Sequence, residues 1–124
     1  MSNTEETIPM PEEFFQGYVE CALWSSTDEN GQPLDIYDDS DIDPASLARM
    51  RDDCEYFYNA QHDLIAESGL SDSRAGHDFW LSRNRHGAGF FDEGVGAVFQ
   101  ELQAAARVYG ESNLYDVDGV VYLA

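Results

Sequence analysis

Apolar residues along the chain recur first with helical and then with strand spacing. Phe14, Phe15, Tyr18, Val19, Ala22 and Leu23 fall at i, i+1, i+4, i+5, i+8 and i+9, one stripe on a helix. Pro11 suits its first turn, Glu12 and Glu13 sit at the positive end of its dipole, and it ends near Ser25 or Ser26. A long second helix is predicted over 44–68, because Asp43-Pro44 offers an N-cap followed by proline and Gly69 offers a left-handed stop. Leu47, Met50, Cys54, Phe57 and Leu64 give it a 3-4 stripe, widened by Tyr58 and Ile65, with Gln61 in the missing heptad position. Three heptads fit a core helix better than a coiled coil.

A third, shorter helix is predicted over 73–82 behind a Ser71 or Asp72 cap, carrying Ala75, Phe79, Trp80 and Leu81. Gly17 and Gly76 weaken the helices that contain them. A fourth helix is expected to begin at Asp92 or Glu93 and run to Tyr109, with Val95, Val98, Phe99, Leu102, Ala105, Ala106 and Tyr109 on one face and Gly110 as its stop. Residues 114–117 and 120–123 flank Asp118-Gly119, the signature of a two-residue type I′ hairpin. An isolated hairpin is marginal in water, so a third strand from 34–37 or 90–91, or packing on the helices, is expected. The fold class that results is α+β: one mainly helical domain of about four helices over 10–124 with a C-terminal β-hairpin.

Charge changes this picture at the N-terminal end. The chain holds 25 Asp and Glu against six Arg and no Lys, a formal charge of −19 over 124 residues. Twelve of those carboxylates lie in residues 1–48, where no basic residue occurs. Residues 1–9 predict a flexible acidic tail. Residues 27–43, with seven carboxylates, Gly31 and Pro33 among Leu34, Ile36 and Tyr37, predict an extended acidic loop that adds nothing to the core. General salt adaptation would spread acids over every face, whereas these are blocked into one end.

Such a field repels phosphate backbones and membrane surfaces and attracts basic clefts. No direct nucleic-acid binding and no membrane association are expected; no apolar run exceeds five residues, far short of a span. A content of 43% hydrophobic and 13% aromatic residues is too apolar for wholesale disorder. Cys21 and Cys54, 33 apart on apolar helix faces, read as reduced core thiols and point to a cytoplasmic setting.

The segment Ala75-Gly-His-Asp-Phe-Trp-Leu-Ser-Arg-Asn-Arg-His-Gly-Ala-Gly-Phe-Phe-Asp92 resembles a family of small acidic bacteriophage and prophage proteins with an H-D-F-W-L-x-R-N-x-H-G-A-G-F block. Tyr18-Val-Glu-Cys-Ala-Leu-Trp-Ser-Ser-Thr-Asp-Glu-Asn-Gly-Gln-Pro-Leu-Asp35 is similar to the same group. The resemblance imports no chemistry. It implies a phage-encoded protein in the host cytoplasm, where small acidic proteins often serve host takeover or defence inhibition.

Three function classes follow. In the first, the chain is an acidic binding protein that mimics a nucleic-acid backbone and blocks the basic groove of a host defence or nucleic-acid enzyme, such as a restriction or CRISPR effector. Duplex DNA presents one charge per roughly 1.7 Å. Glu12, Glu13, Glu20, Asp28, Glu29, Asp35, Asp38, Asp39, Asp41 and Asp43 would carry that contact. In the second, His77, Asp78, Arg83, Asn84 and His86 form a local acid/base, ligand or metal site.

The spacing argues against that second class: His-x8-His is not a helical zinc pair, and no nucleophile elbow is present. Internal packing of the block is the simpler expectation, with Arg83 and Arg85 paired to the acidic N-terminal surface. Asp39-x-Asp41-x-Asp43 resembles the start of a calcium loop but has Pro44 where Gly should follow and Met50 where a bidentate Glu is required. No cofactor, metal or catalytic residue is assigned. The third class is a phage accessory or structural factor whose acidity only solubilises it. Tyr115, Val117, Val121 and Leu123 could pack internally or form a homodimer contact.

Overall fold

Helices α1 (Glu12–Ser25) and α3 (Asp72–Arg83) cross so closely that neither tolerates a β-carbon at the contact. A Cβ on Gly17 would lie 2.1 Å from the carbonyl oxygen of Ser73, and one on Gly76 would lie 1.9 Å from that of Phe14. These two glycines, which weaken each helix in isolation, are what lets the pair form. The computed structural model describes residues 8–85 and 89–124. The acidic tail expected over 1–9 therefore lies mostly outside the described residues.

Around this pair stand the long α2 (Pro44–Ser68), α4 (Ala97–Arg107) and the antiparallel hairpin β1 (Leu114–Val117) and β2 (Val120–Leu123). The architecture is the expected α+β arrangement of four helices and a C-terminal hairpin. α2 begins and ends as its caps dictate: Asp43 accepts the Ser46 N–H, and Gly69 closes the helix at φ 77°. Ser71 caps α3 by accepting the Arg74 N–H. Almost every residue of α3 from Ala75 onward is buried, His77 being half-buried, so α3 is the central element.

One core runs through the molecule, and its centre is aromatic. Phe57 and Phe79 stack with centroids 4.1 Å apart and an interplanar angle of 9°, while Phe14, Tyr18, Phe90 and Tyr109 surround them. Cys21 and Cys54 are free thiols in this core.

Three expectations need correction. The helix expected from 92 or 93 starts at Ala97; Phe90–Glu93 is instead a separate 3-10 turn, and a non-helical link with extended backbone at Gly94 and Gly96 intervenes. The Phe99 ring packs where a Gly94 side chain would be, 2.7 Å from where its β-carbon would lie, and Val95 stands 96% exposed rather than on the apolar face. The 27–43 loop does feed the core: Leu34 and Ile42 are both buried, Ile42 being an apolar position that the carboxylate count hides. Third, the backbone that pairs with the hairpin is neither 34–37 nor 90–91 but Ile42, through a parallel bridge to Val121 in which the Asp43 N–H donates to the Val121 carbonyl at 2.7 Å.

Asp118 and Gly119 have φ of 51° and 84°, as a type I′ turn requires. Val121 is fully buried and Leu123 packs against the core, so these two side chains face inward, while Tyr115 and Val117 are exposed.

Candidate functional site

The ten N-terminal carboxylates divide by what they already do. Glu12 forks the Arg51 guanidinium at 3.1 and 2.8 Å, and that bond holds its pKa below the usual carboxylate range. Asp28 accepts the N–H groups of Asn30 and Gln32, closing the turn at Gly31. Asp38 and Asp41 form a reciprocal capping box: Asp38 accepts from the Ser40 backbone and hydroxyl, and Asp41 accepts the Asp38 N–H at 3.0 Å. Asp43 caps α2. In the run that resembles a calcium loop, Asp41 and Asp43 thus spend an oxygen each on the chain's own N–H groups. Glu13, Glu20, Glu29, Asp35 and Asp39 are exposed and have no such employment among the described residues.

Three of those five line one groove. It has a volume of about 500 Å³ and runs between α1 and the 35–39 segment, with Phe15, Val19 and Leu23 of α1 as its floor. Glu20, Asp35 and Asp39 rim it together with Asp38, and Trp24 and Tyr37 supply aromatic walls. Trp24 is 60% exposed on a helix that otherwise buries its large apolar side chains. Tyr37 is fixed by donating its hydroxyl to Asp116 on β1 at 2.9 Å. The chain folds this way because α1 turns its polar edge outward beside a loop that Leu34 and Ile42 pin to the core.

The central block comes apart into two places. Arg83, 5% exposed, donates to the Gly110 and Tyr109 carbonyls, the Tyr18 hydroxyl and Asp53, at 2.8 to 3.0 Å. It is a structural clamp on α2 and on the α4 terminus, and its carboxylate partner is Asp53 rather than the N-terminal acids. Asn84 donates to the Trp80 carbonyl at 2.9 Å and accepts the Ser112 N–H at 2.7 Å, so it ties the end of α3 to the segment before β1. Neither joins His77 and Asp78. His86 lies outside the described residues.

His77 and Asp78 instead meet two residues that the spacing did not single out. Arg74, one turn earlier, places Nε 3.5 Å from Asp78 and pairs with Glu93 from the 3-10 turn. His77 Nδ1 lies 3.5 Å from Asp78, and the Trp24 ring stands 6.3 Å from the imidazole, so this cluster borders the acidic groove. Asp78 is fully buried, and neither of its oxygens has a hydrogen-bond partner among the described residues.

Burial pushes its carboxyl up to about 8, the adjacent Glu93 carboxylate adds to that, and Arg74 opposes it. Glu93 is held low by Asp78 and Arg74. Burial and the Glu93 charge thus favour the neutral carboxyl of Asp78 over its carboxylate. Burial and Arg74 lower the His77 pKa, against the pull of Glu93 and Glu20. Arg74 was legible as an i, i+4 partner of Asp78; Glu93 arrives through a turn that no periodicity marks.

This cluster gathers two carboxyls, an imidazole and a guanidinium, but it is closed to a substrate at Asp78. Burial raises the Cys21 thiol to about 12 and Cys54 well above its ordinary value, so neither is a thiolate nucleophile. No group of three His, Cys, Asp or Glu residues is placed to hold a metal ion among the described residues. No helix among them is long and apolar enough to cross a membrane. No protein-family model, curated protein or solved structure matches the chain.

Proposed function

We propose that the chain is an acidic binding protein that occupies the basic groove of a nucleic-acid-handling enzyme in place of a nucleic-acid backbone. One observation supports this above others: three of the five N-terminal carboxylates left without internal duty, Glu20, Asp35 and Asp39, line a single groove beside an exposed tryptophan. Acids kept only for solubility have no reason to gather around an apolar floor, where each neighbour raises the electrostatic cost of the next. An exposed Trp among carboxylates suits an interface, where aromatic anchors sit inside a polar rim. The resemblance of the 75–92 block to phage proteins is what suggests a host defence or nucleic-acid enzyme as the partner.

A second reading draws on the buried, partnerless Asp78 carboxyl, a feature more often kept at a site of proton transfer or ligand contact than in a plain core. His77, Asp78 and Glu93 would then carry it. The first reading is preferred because Asp78 has no exposed surface for a substrate.

The test is capture of host-lysate proteins on the immobilised chain, followed by elution with duplex DNA or with salt. A nucleic-acid enzyme released by both is the expected result. Retention that ignores both competitors, or a gel shift of DNA by the chain alone, overturns the reading.

A further inference from the structure

The lining of the groove contains four carboxylates, Glu20, Asp35, Asp38 and Asp39, and no cation. Its floor is apolar and one wall is the exposed Trp24 ring, which stands 6.3 Å from the His77 imidazole. We infer that this groove receives an arginine side chain of the basic partner, its guanidinium against Trp24 and forked by the rim carboxylates. The inference rests on the binding reading above and names the group that the partner inserts.

Three features select arginine over other occupants. A guanidinium is flat, weakly hydrated and able to stack on an aromatic face while its edge binds carboxylates, whereas a lysine ammonium is a strongly hydrated point charge that loses more on entering an apolar-floored groove. A phosphate or nucleobase segment would meet four like-charged oxygens, and an apolar peptide would desolvate them without compensation. The chain also uses the same chemistry internally on a floor residue: Arg51 stands 4.2 Å over the Phe15 ring while its two terminal nitrogens fork Glu12. A second copy is the other conceivable source of the arginine, since Arg85 and Arg107 flank the half-exposed Phe91 in a separate shallow groove.

The experiment uses the intact chain labelled at the indole nitrogens. Trp24 is the reporter, and Trp80, buried and donating to the Ser25 hydroxyl at 2.8 Å, is the internal reference for an intact fold. The probes are the capped tripeptides Gly-Arg-Gly and Gly-Lys-Gly. The arginine peptide is expected to shift the Trp24 indole resonance and leave Trp80 in place, with the lysine peptide weaker by roughly two- to fivefold, the size of an exposed cation–π contact. Trp24→Leu, which removes the reporter and is therefore followed by titration calorimetry, should erase the difference between the peptides, and Asp35→Asn with Asp39→Asn should weaken both.

Equal affinity for the two peptides, or an unmoved Trp24 resonance, overturns the inference. If partner capture survives Trp24→Leu but is lost in Asp35→Asn/Asp39→Asn, the arginine groove fails while the acidic-face reading stands. Indifference to both sets defeats both. A Trp24 shift that grows with protein concentration alone and disappears in Arg85→Ala assigns the arginine to a second copy and overturns the assignment to a partner.

Discussion

Gly76 on α3 faces the carbonyl oxygen of Phe14 on α1 so closely that a β-carbon there would lie 1.9 Å from it. The obstacle is backbone, which cannot rotate aside, so the helices themselves must separate. Gly76→Ala should destabilise the fold by about 1–3 kcal/mol or more, despite alanine's better helix propensity. Gly96→Ala is the matched control, because nothing lies within 4 Å of its β-carbon position and its backbone is ordinary. Urea midpoints of the two variants should diverge, and equal midpoints would show that the α1–α3 contact is looser than described.

Arg83 makes a second prediction through what it would leave behind. Its removal strands the Tyr18 hydroxyl, two carbonyls and the half-exposed Asp53 carboxylate. Arg83→Leu should cost about 2–4 kcal/mol, with Arg83→Lys recovering only part, since an ammonium cannot reach four acceptors set around a planar fork. Thermal unfolding of both variants and of Asp53→Asn checks the order; a neutral Arg83→Leu would place Arg83 in binding rather than in the fold.

Much of the fold was legible because its signals are local. Asp43-Pro44 and Gly69 mark both ends of α2, and Asp118-Gly119 marks the hairpin, each through the backbone angles that those residues favour. What escaped was long-range. Gly17 and Gly76 read as weak helix positions when taken one chain segment at a time, and only the crossing of α1 over α3 gives them a purpose. Ile42 was hidden among carboxylates, and the Gly94 break was hidden inside an apolar period that continues on both sides of it. At the candidate site, His77 and Asp78 were legible as chemistry, but Arg83 and Asn84 turned to structural duty because positions six residues further along the chain, well over one helical turn, face different neighbours. Among the ten acids, sequence gives the charge and not its use, which depends on which N–H groups each oxygen reaches.

The Asp78 carboxyl should leave a signature in stability against pH. Its folded pKa of about 8 exceeds the ordinary 3.8, so between these values the folded chain holds a proton that the unfolded chain has released. Asp78 therefore contributes stability that is complete below about pH 4 and lost as pH rises toward 8, with a slope of at most about 1.4 kcal/mol per pH unit. Glu93 and His77, both lowered, contribute in the opposite sense, and because Asp78 itself helps hold Glu93 low, the contrast with a variant reads the Asp78–Glu93 pair. Asp78→Asn should gain on the wild type steadily from pH 5 to pH 8 in urea midpoints. A constant difference across that range would mean that Asp78 is ionised throughout.

The division of the acids gives the sharpest separation of fold from function. Asp43→Ala removes the α2 cap and should cost about 1 kcal/mol, with a lowered melting temperature. Asp35→Asn with Asp39→Asn removes two charges that bond nothing internally among the described residues, so melting should hold within about 0.5 kcal/mol. Partner association should respond in the reverse order. Exposed charges act through a field screened beyond roughly 8 Å at physiological salt, so the double variant should associate more slowly and show a shallower salt dependence, while Asp43→Ala in its folded form keeps nearly the wild-type rate. The measurements are melting curves together with association rates at several salt concentrations. A double variant that binds at an unchanged rate and with an unchanged salt slope would reduce the acidic groove to a solubilising surface, and the binding reading would fall with it.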